Sequence, residues 1–331
     1  MNEAQVSRET GPRTVPTAAD LDKDATGFDD STPLARAVAQ QMAAREGAVQ
    51  DDPVARPSRT RTVVVANQKG GVGKTTTTVN LAVALAQLGQ RVLVIDLDPQ
   101  GNASTALAVE HGRGTPGTYE VLVDGTPLRD VTQPVEEVPN LWLVPATIDL
   151  AGAEIELVSV VARESRLRKA LDAARLIGEE DTRYDYVLVD CPPSLGLLTL
   201  NALVAGAEIL IPIQAEYYAL EGLGQLLETV EMVRAHLNDK LSLGAFLITM
   251  YDSRTKLASG VAREVREHFG PRVLRTMIPR SVRVSEAPSY GQSVLGYDPT
   301  STGALAYLAA ARELAVIGQR PPAPQDGGGR G

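Results

Sequence analysis

The chain has 331 residues, of which 44% are apolar, with a formal net charge of −9 and a single cysteine. That apolar share is enough for a sizeable core, and the length allows one large domain or two small ones. No run of 18 apolar residues occurs and the polar N-terminus has no signal-peptide core, so neither a spanning helix nor a leader is expected. Cys191 alone excludes an internal disulfide and fits a reducing cytoplasm. His111, His236 and His268 are far apart and lack partner cysteines, so no metal cluster is expected.

Residues 1–60 are rich in Pro, Thr, Ala, Asp and Glu with little hydrophobic periodicity, and are expected to form a disordered arm. Within it Thr32-Pro33 can cap and start a helix over 33–45, with Leu34, Val38 and Met42 on one face. That helix is either transient or a docking element for a partner protein. Next, the β-branched run Thr62-Val63-Val64-Val65 leads into Lys69-Gly70-Gly71-Val72-Gly73-Lys74-Thr75-Thr76, where a helical stretch opens. Glycines in such a loop let backbone N–H groups wrap phosphates, and the helix N-terminus adds favourable partial charge. Lys74 is placed to reach the β- and γ-phosphates, and the Thr75 hydroxyl to ligate Mg²⁺. The ordinary pattern has glycine where this chain has Gln68, so the loop is a variant, and Lys69 is its diagnostic residue.

Apolar runs follow at 62–66, 92–95, 141–144, 186–189, 208–213, 244–249 and 273–278, each suited to a strand buried on both faces. Helical periodicity follows most of them, at 75–88, 195–205, 220–236, 258–269 and 302–317. The alternation predicts an α/β fold: a single P-loop NTPase domain over 61–317, its mostly parallel twisted sheet covered by helices on both faces. Ligands of such sheets bind beyond the carboxyl ends of the strands. Asp96 and Asp98 close the second run and, two apart in extended chain, point the same way. A carboxylate pair there can serve a metal and its water, or cap the next helix. Asp190 ends another apolar run, before Cys191-Pro-Pro-Ser194.

From Arg254 to Arg283 eight basic residues stand against two acidic ones, +6 in thirty residues of an acidic chain. Clustered positive charge is the footprint of phosphate-backbone binding. No aromatic interleaving or recognition-helix pattern accompanies it, so sequence-specific readout is not expected. Part of the run also reads as a solvated helix surface with pairs such as Arg263–Glu267. The last residues, Gly318 to Gly331, are Pro/Gly-rich and read as a disordered tail.

The glycine-rich loop with its extra Lys69 resembles the deviant Walker A motif of the ParA/MinD superfamily of ATPases. Arg91-Val-Leu-Val-Ile-Asp96-Leu-Asp98-Pro-Gln-Gly-Asn102 resembles its second acidic motif, and Tyr186-Val-Leu-Val-Asp190-Cys-Pro-Pro-Ser194 its Walker B. Pro145-Ala-Thr-Ile-Asp-Leu-Ala-Gly-Ala-Glu154, Glu216-Tyr-Tyr-Ala-Leu-Glu-Gly222, Thr249-Met-Tyr-Asp-Ser-Arg254-Thr and Ile278-Pro-Arg-Ser-Val-Arg-Val-Ser-Glu-Ala-Pro288-Ser are similar to Soj-type chromosomal ParA proteins. The resemblance covers about Arg61 to Ile317.

It implies ATP and Mg²⁺ as cofactors and ATP hydrolysis as the reaction. By resemblance, Lys69, Gly70, Gly71, Val72, Gly73, Lys74, Thr75, Thr76, Asp190 and Pro279 bind the nucleotide. Thr75, Asp96 and, through water, Asp190 serve the metal, Lys74 clamps the phosphates and Asp98 orients the attacking water. Lys69 crosses to the other subunit's ATP in a face-to-face homodimer. Arg254 and Arg283 match arginines implicated in non-specific binding of double-stranded DNA, whereas Arg280, beside Pro279, serves either the DNA or the nucleotide base. A ParB-type centromere-binding partner and a nucleoid location complete the implied cycle. The rival is a MinD-like ATPase that positions division or other cargo through membrane or protein partners. Such chains end in a basic amphipathic membrane helix, which Gln319-Arg-Pro-Pro-Ala-Pro-Gln-Asp-Gly cannot form, so no membrane partner is expected.

Overall fold

Continuous apolar runs become central strands because both their faces need cover, and the computed structural model realises this over residues 54–175, 183–217 and 223–317, the residues it describes. Seven strands form one sheet there: β1 (Arg61–Val65), β2 (Val92–Asp96), β3 (Gln133–Pro134), β4 (Leu141–Val144), β5 (Tyr186–Asp190), β6 (Glu208–Gln214) and β7 (Ser242–Thr249). Their order is β3-β4-β2-β5-β1-β6-β7, parallel throughout except for the antiparallel edge strand β3. The short β3 carries Pro134, a residue that edge strands tolerate because it lacks an N–H to offer the ladder.

The helices are α1 (Lys74–Gln87), α2 (Asn102–Ala106), α3 (Thr118–Leu122), α4 (Leu128–Val131), α5 (Leu150–Glu156), α6 (Arg166–Arg175), α7 (Leu197–Ala205), α8 (Leu223–His236), α9 (Lys256–Phe269), α10 (Val282–Glu286), α11 (Val294–Tyr297) and α12 (Thr302–Ile317). Alternate strand residues supply two cores. Val64, Ile95, Val189, Ile211 and Ile248 face α6, α7, α8 and α9, while Val63, Val65, Val94, Leu188 and Leu210 face α1 and α12. The C-terminal helix α12 is fixed by a buried ion pair. Arg61 donates to both oxygens of Glu208 at 2.7 and 2.8 Å and, through Nη1, to the Leu314 carbonyl at 2.9 Å.

Two features differ from expectation. Residues 273–278 run beside β7 without forming a strand: Leu274 N–H donates to Phe246 O and Ile278 N–H to Ile248 O, but the ladder breaks between them. The reason is Glu313 on α12, whose carboxylate takes the N–H groups of Arg275 and Thr276 at 2.7 and 3.0 Å. At the other end, residues 54–60, assigned by composition to the arm, lie packed on the domain. Val54 sits against one core, Arg56 pairs with Asp185 at 2.9 Å, and the Arg183 guanidinium donates to the carbonyls of Pro57 and Ser58. The expected 33–45 helix and the 318–331 tail lie outside the described residues.

Candidate nucleotide site and basic surface

Parallel register brings the chemistry to one edge. Val65 pairs with Asp190 across β1 and β5, and Asp96 with Asp190 across β2 and β5, so the loop after β1 and both carboxylates meet at the carboxyl ends. From Gly70 to Gly73 the loop turns through left-handed backbone at Gly71 (φ +72°) and Gly73 (φ +87°), the second opening α1. A Cβ at Gly70 or Gly71 would meet nothing within 4 Å, and both glycines are exposed. Val72, by contrast, is buried, and its carbonyl accepts a 2.8 Å bond from the Thr249 hydroxyl at the end of β7. Asn67 braces the loop from the other side, donating to Pro212 O at 2.8 Å and accepting from the Lys69 N–H at 3.0 Å.

Lys74 is 7% exposed, and its ammonium donates to the Lys69 carbonyl at 3.2 Å. Burial pulls its pKa below the ordinary lysine value, opposed by the charge of Asp190. The Thr75 hydroxyl donates to Asp190 Oδ2 at 2.7 Å and Thr78 to Oδ1 at 2.9 Å. Asp190 and Asp96 are both fully buried. Burial first, and then the proximity of Asp96, push the Asp190 carboxyl well above the ordinary carboxylate range, and burial raises Asp96 in the same direction. Burial also lifts the Cys191 thiol well above its usual value, which suits a small packed residue and not a nucleophile.

Asp96 holds the loop that follows it. Its Oδ1 accepts the Asp98 N–H at 3.1 Å, and its Oδ2 accepts both the N–H and the hydroxyl of Ser104 at 3.0 and 2.8 Å, which satisfies a donor in the first turn of α2. Asp98 is 8% exposed and accepts the Gln100 N–H at 3.0 Å. The structure brings Lys74, Thr75, Asp96, Asp98 and Asp190 together and adds Asn67, Thr78 and Ser104, which the sequence reading passes over, and Thr249, which it places in a Soj-like segment without a role. Thr78 leaves a trace in the sequence too, standing one turn along the same helical face as Thr75.

Residues 251–255, which carry Arg254, meet 278–283, which carry Arg280 and Arg283. Tyr251 N–H donates to Ile278 O at 2.9 Å and Arg280 N–H to Tyr251 O at 3.0 Å, a bridge that puts Pro279 opposite Tyr251. All three singled-out arginines carry a carboxylate partner here. Arg254 is bidentate to Asp252 at 2.8 and 2.9 Å, Arg280 reaches Glu216 at 3.4 Å, and Arg283 reaches Glu286 at 3.4 Å and Asp298 at 3.5 Å. The Arg254 guanidinium holds Asp252 down to about 2. The Arg280 and Arg283 pairs are long and exposed, so an incoming polyanion can exchange with them at little cost, whereas it would have to displace Asp252 from a bidentate partner at Arg254.

Comparison with known proteins places this arrangement. A family model described as an AAA domain matches residues 60–243. The sporulation initiation inhibitor protein Soj of Bacillus subtilis is 51% identical over 256 residues, covering 77% of this chain and 98% of that protein. The chain belongs to the ParA/Soj family of chromosome-partitioning ATPases. Within that family the chromosome partitioning protein ParA of Caulobacter vibrioides is 50% identical over 254 residues, covering 77% of this chain and 93% of its own. Among solved structures, a protein titled cobyrinic acid a,c-diamide synthase from Mycobacterium smegmatis, with bound ADP and magnesium, superposes with a TM-score of 0.65 at 39% identity. It covers 76% of this chain and 93% of that one. No helix among the described residues of this ParA/Soj-family ATPase is long and apolar enough to cross a membrane.

Proposed function

We propose that this partitioning ATPase hydrolyses ATP to ADP and phosphate, and that its ATP-bound homodimer binds nucleoid DNA without sequence preference. A ParB-type centromere-binding partner stimulates hydrolysis and so releases the DNA. The observation that carries the reading is the Thr75 hydroxyl 2.7 Å from Asp190, in a phosphate loop that also holds Lys74 buried beside it. A hydroxyl and a carboxylate so placed fit a magnesium ion brought in with the nucleotide, with Asp190 acting through water.

Magnesium-ATP, when bound, supplies the phosphoryl group and the counter-charge that lets water attack it. The chain's own residues bind and position. The N–H groups of Gly70 to Thr76 line the loop, and Lys74 exchanges the Lys69 carbonyl for phosphate oxygens. Asp96, committed to the following loop, orders the metal's surroundings from behind, and Asp98 orients water. Lys69 reaches the nucleotide of the second subunit, which makes dimerisation depend on ATP because two triphosphates otherwise repel. Arg254 and Arg283, assisted by Arg280, hold DNA phosphates, and Pro279 lies towards the nucleotide base. Pairing two such surfaces raises DNA affinity through multivalency.

The test is phosphate release by the purified chain with magnesium and ATP, compared with the Asp98→Ala variant. Loss of a water-orienting carboxylate should lower turnover by about 10²-fold or more while nucleotide binding persists and the ATP dimer accumulates. Undiminished turnover in that variant would remove Asp98 from the role.

A further inference from the structure

The Asp96 carboxylate spends its bonds on the loop that carries Asp98, and that loop is fastened in turn to the segment leaving β4. Ser104, fully buried, is the joint. Its hydroxyl donates to Asp96 Oδ2 at 2.8 Å and accepts the Ala146 N–H at 3.2 Å, while its own N–H donates to the same Asp96 oxygen at 3.0 Å. Two neighbours tighten the contact. Gly101, at φ +62°, approaches so closely that a Cβ there would stand 2.9 Å from Ala146 O. The Thr118 hydroxyl donates to Asp96 O at 2.7 Å and lies 3.2 Å from Pro145 O.

We infer that Ser104 is a positioning residue: it holds Asp98 in place through Asp96 and ties that placement to the β4–α5 segment. This deepens the hydrolase reading and rests on it. The geometry leaves Ser104 no other task. It is closed to solvent, and each of these polar contacts runs to the carboxylate platform or to Ala146. With the hydroxyl gone, Asp96 keeps two backbone N–H donors, from Asp98 and Ser104, so the site survives. The Ala146 N–H loses its acceptor, however, and the loop gains freedom at the one place where Asp98 must be held. Freedom in a residue that orients water lowers turnover without lowering affinity for the nucleotide, because the phosphate loop is untouched.

The measurement is steady-state ATPase of the full chain with Ser104→Ala, beside Thr118→Val, with nucleotide affinity measured separately by a fluorescent ATP analogue. The expected result is a kcat lowered about tenfold in Ser104→Ala, with KM and analogue affinity within about twofold of the parent. Thr118→Val, which removes a neighbouring hydroxyl from Asp96 O and Pro145 O, should fall in the same direction by a smaller factor, and Ser104→Cys, which keeps the size but bonds weakly, decides the matter should Ser104→Ala fail to fold. A folded Ser104→Ala with parental kcat overturns the inference. So does a parallel loss of kcat and affinity, which would mark a general structural role. Asp98→Ala separates the two levels: if it turns over normally the water-orienting role of Asp98 fails and the inference with it, whereas if it is inactive and Ser104→Ala is normal, only the inference about Ser104 fails.

Discussion

A buried carboxylate beside another is costly in the absence of a cation, and Asp190 shows what that does to the free protein. Its pKa is raised, mainly by burial, so the folded chain keeps a proton that the unfolded chain releases. Such a group adds stability below the ordinary carboxylate range and loses it as pH rises through the raised value. The nucleotide-free protein should therefore lose thermal stability from mildly acidic pH up through neutrality. Asp190→Asn, which keeps the shape and removes the charge, should raise the melting temperature at mildly alkaline pH by a few degrees while abolishing the stabilisation given by magnesium-ATP. A variant that melts no higher than the parent there would contradict the electrostatic account. Lys69 makes the complementary case. Its side chain is half-buried and its backbone carbonyl holds Lys74, so Lys69→Ala leaves the loop's bonds in place. It should bind ATP within about twofold of the parent yet sediment as a monomer with ATP; an unchanged ATP dimer would remove its proposed crossing role.

Elements were legible where apolar runs were continuous and illegible where a distant polar side chain intervened. Strands β1, β2, β4, β5, β6 and β7 each follow a buried run, because a strand covered on both faces must be apolar along its length. The run at 273–278 has the same composition, and fails to join the sheet because Glu313, far along the chain, claims two of its N–H groups. No local pattern announces that. Glu313→Ala would leave those donors without their acceptor and should cost about 1–3 kcal/mol, read as a lower urea midpoint and faster hydrogen exchange at Arg275 and Thr276. Equal midpoints would mean that the segment is held by apolar packing alone. In the nucleotide site the motif residues were legible because phosphate and metal chemistry fixes their types. Asn67 and Ser104 were not, and Thr249 was legible only as part of a family-like segment, since their hydrogen-bond partners Pro212, Ala146 and Val72 become neighbours only once the sheet has formed.

At the scale of the whole molecule the net charge of −9 hides a local arrangement: Arg254, Arg280 and Arg283 lie where residues 251–255 meet 278–283, each paired with a carboxylate. Arg254 and Arg283 are exposed, and their partners Asp252, Glu286 and Asp298 lie on the same surface, so phosphates would compete with carboxylates already in place. Charge reversal, Arg254→Glu or Arg283→Glu, should weaken DNA binding at least tenfold and flatten its salt dependence while basal ATPase stays within about twofold. Equal loss of both activities would instead indicate damage to the fold. Nucleotide state is proposed to govern DNA binding, and sedimentation of the purified chain with random-sequence duplex DNA reads that dependence. The comparison is ATP against ADP, each at low and moderate salt. Co-sedimentation with ATP only, weakened by salt, is the predicted result; binding that is equal in ATP and ADP, or absent from both, would contradict it.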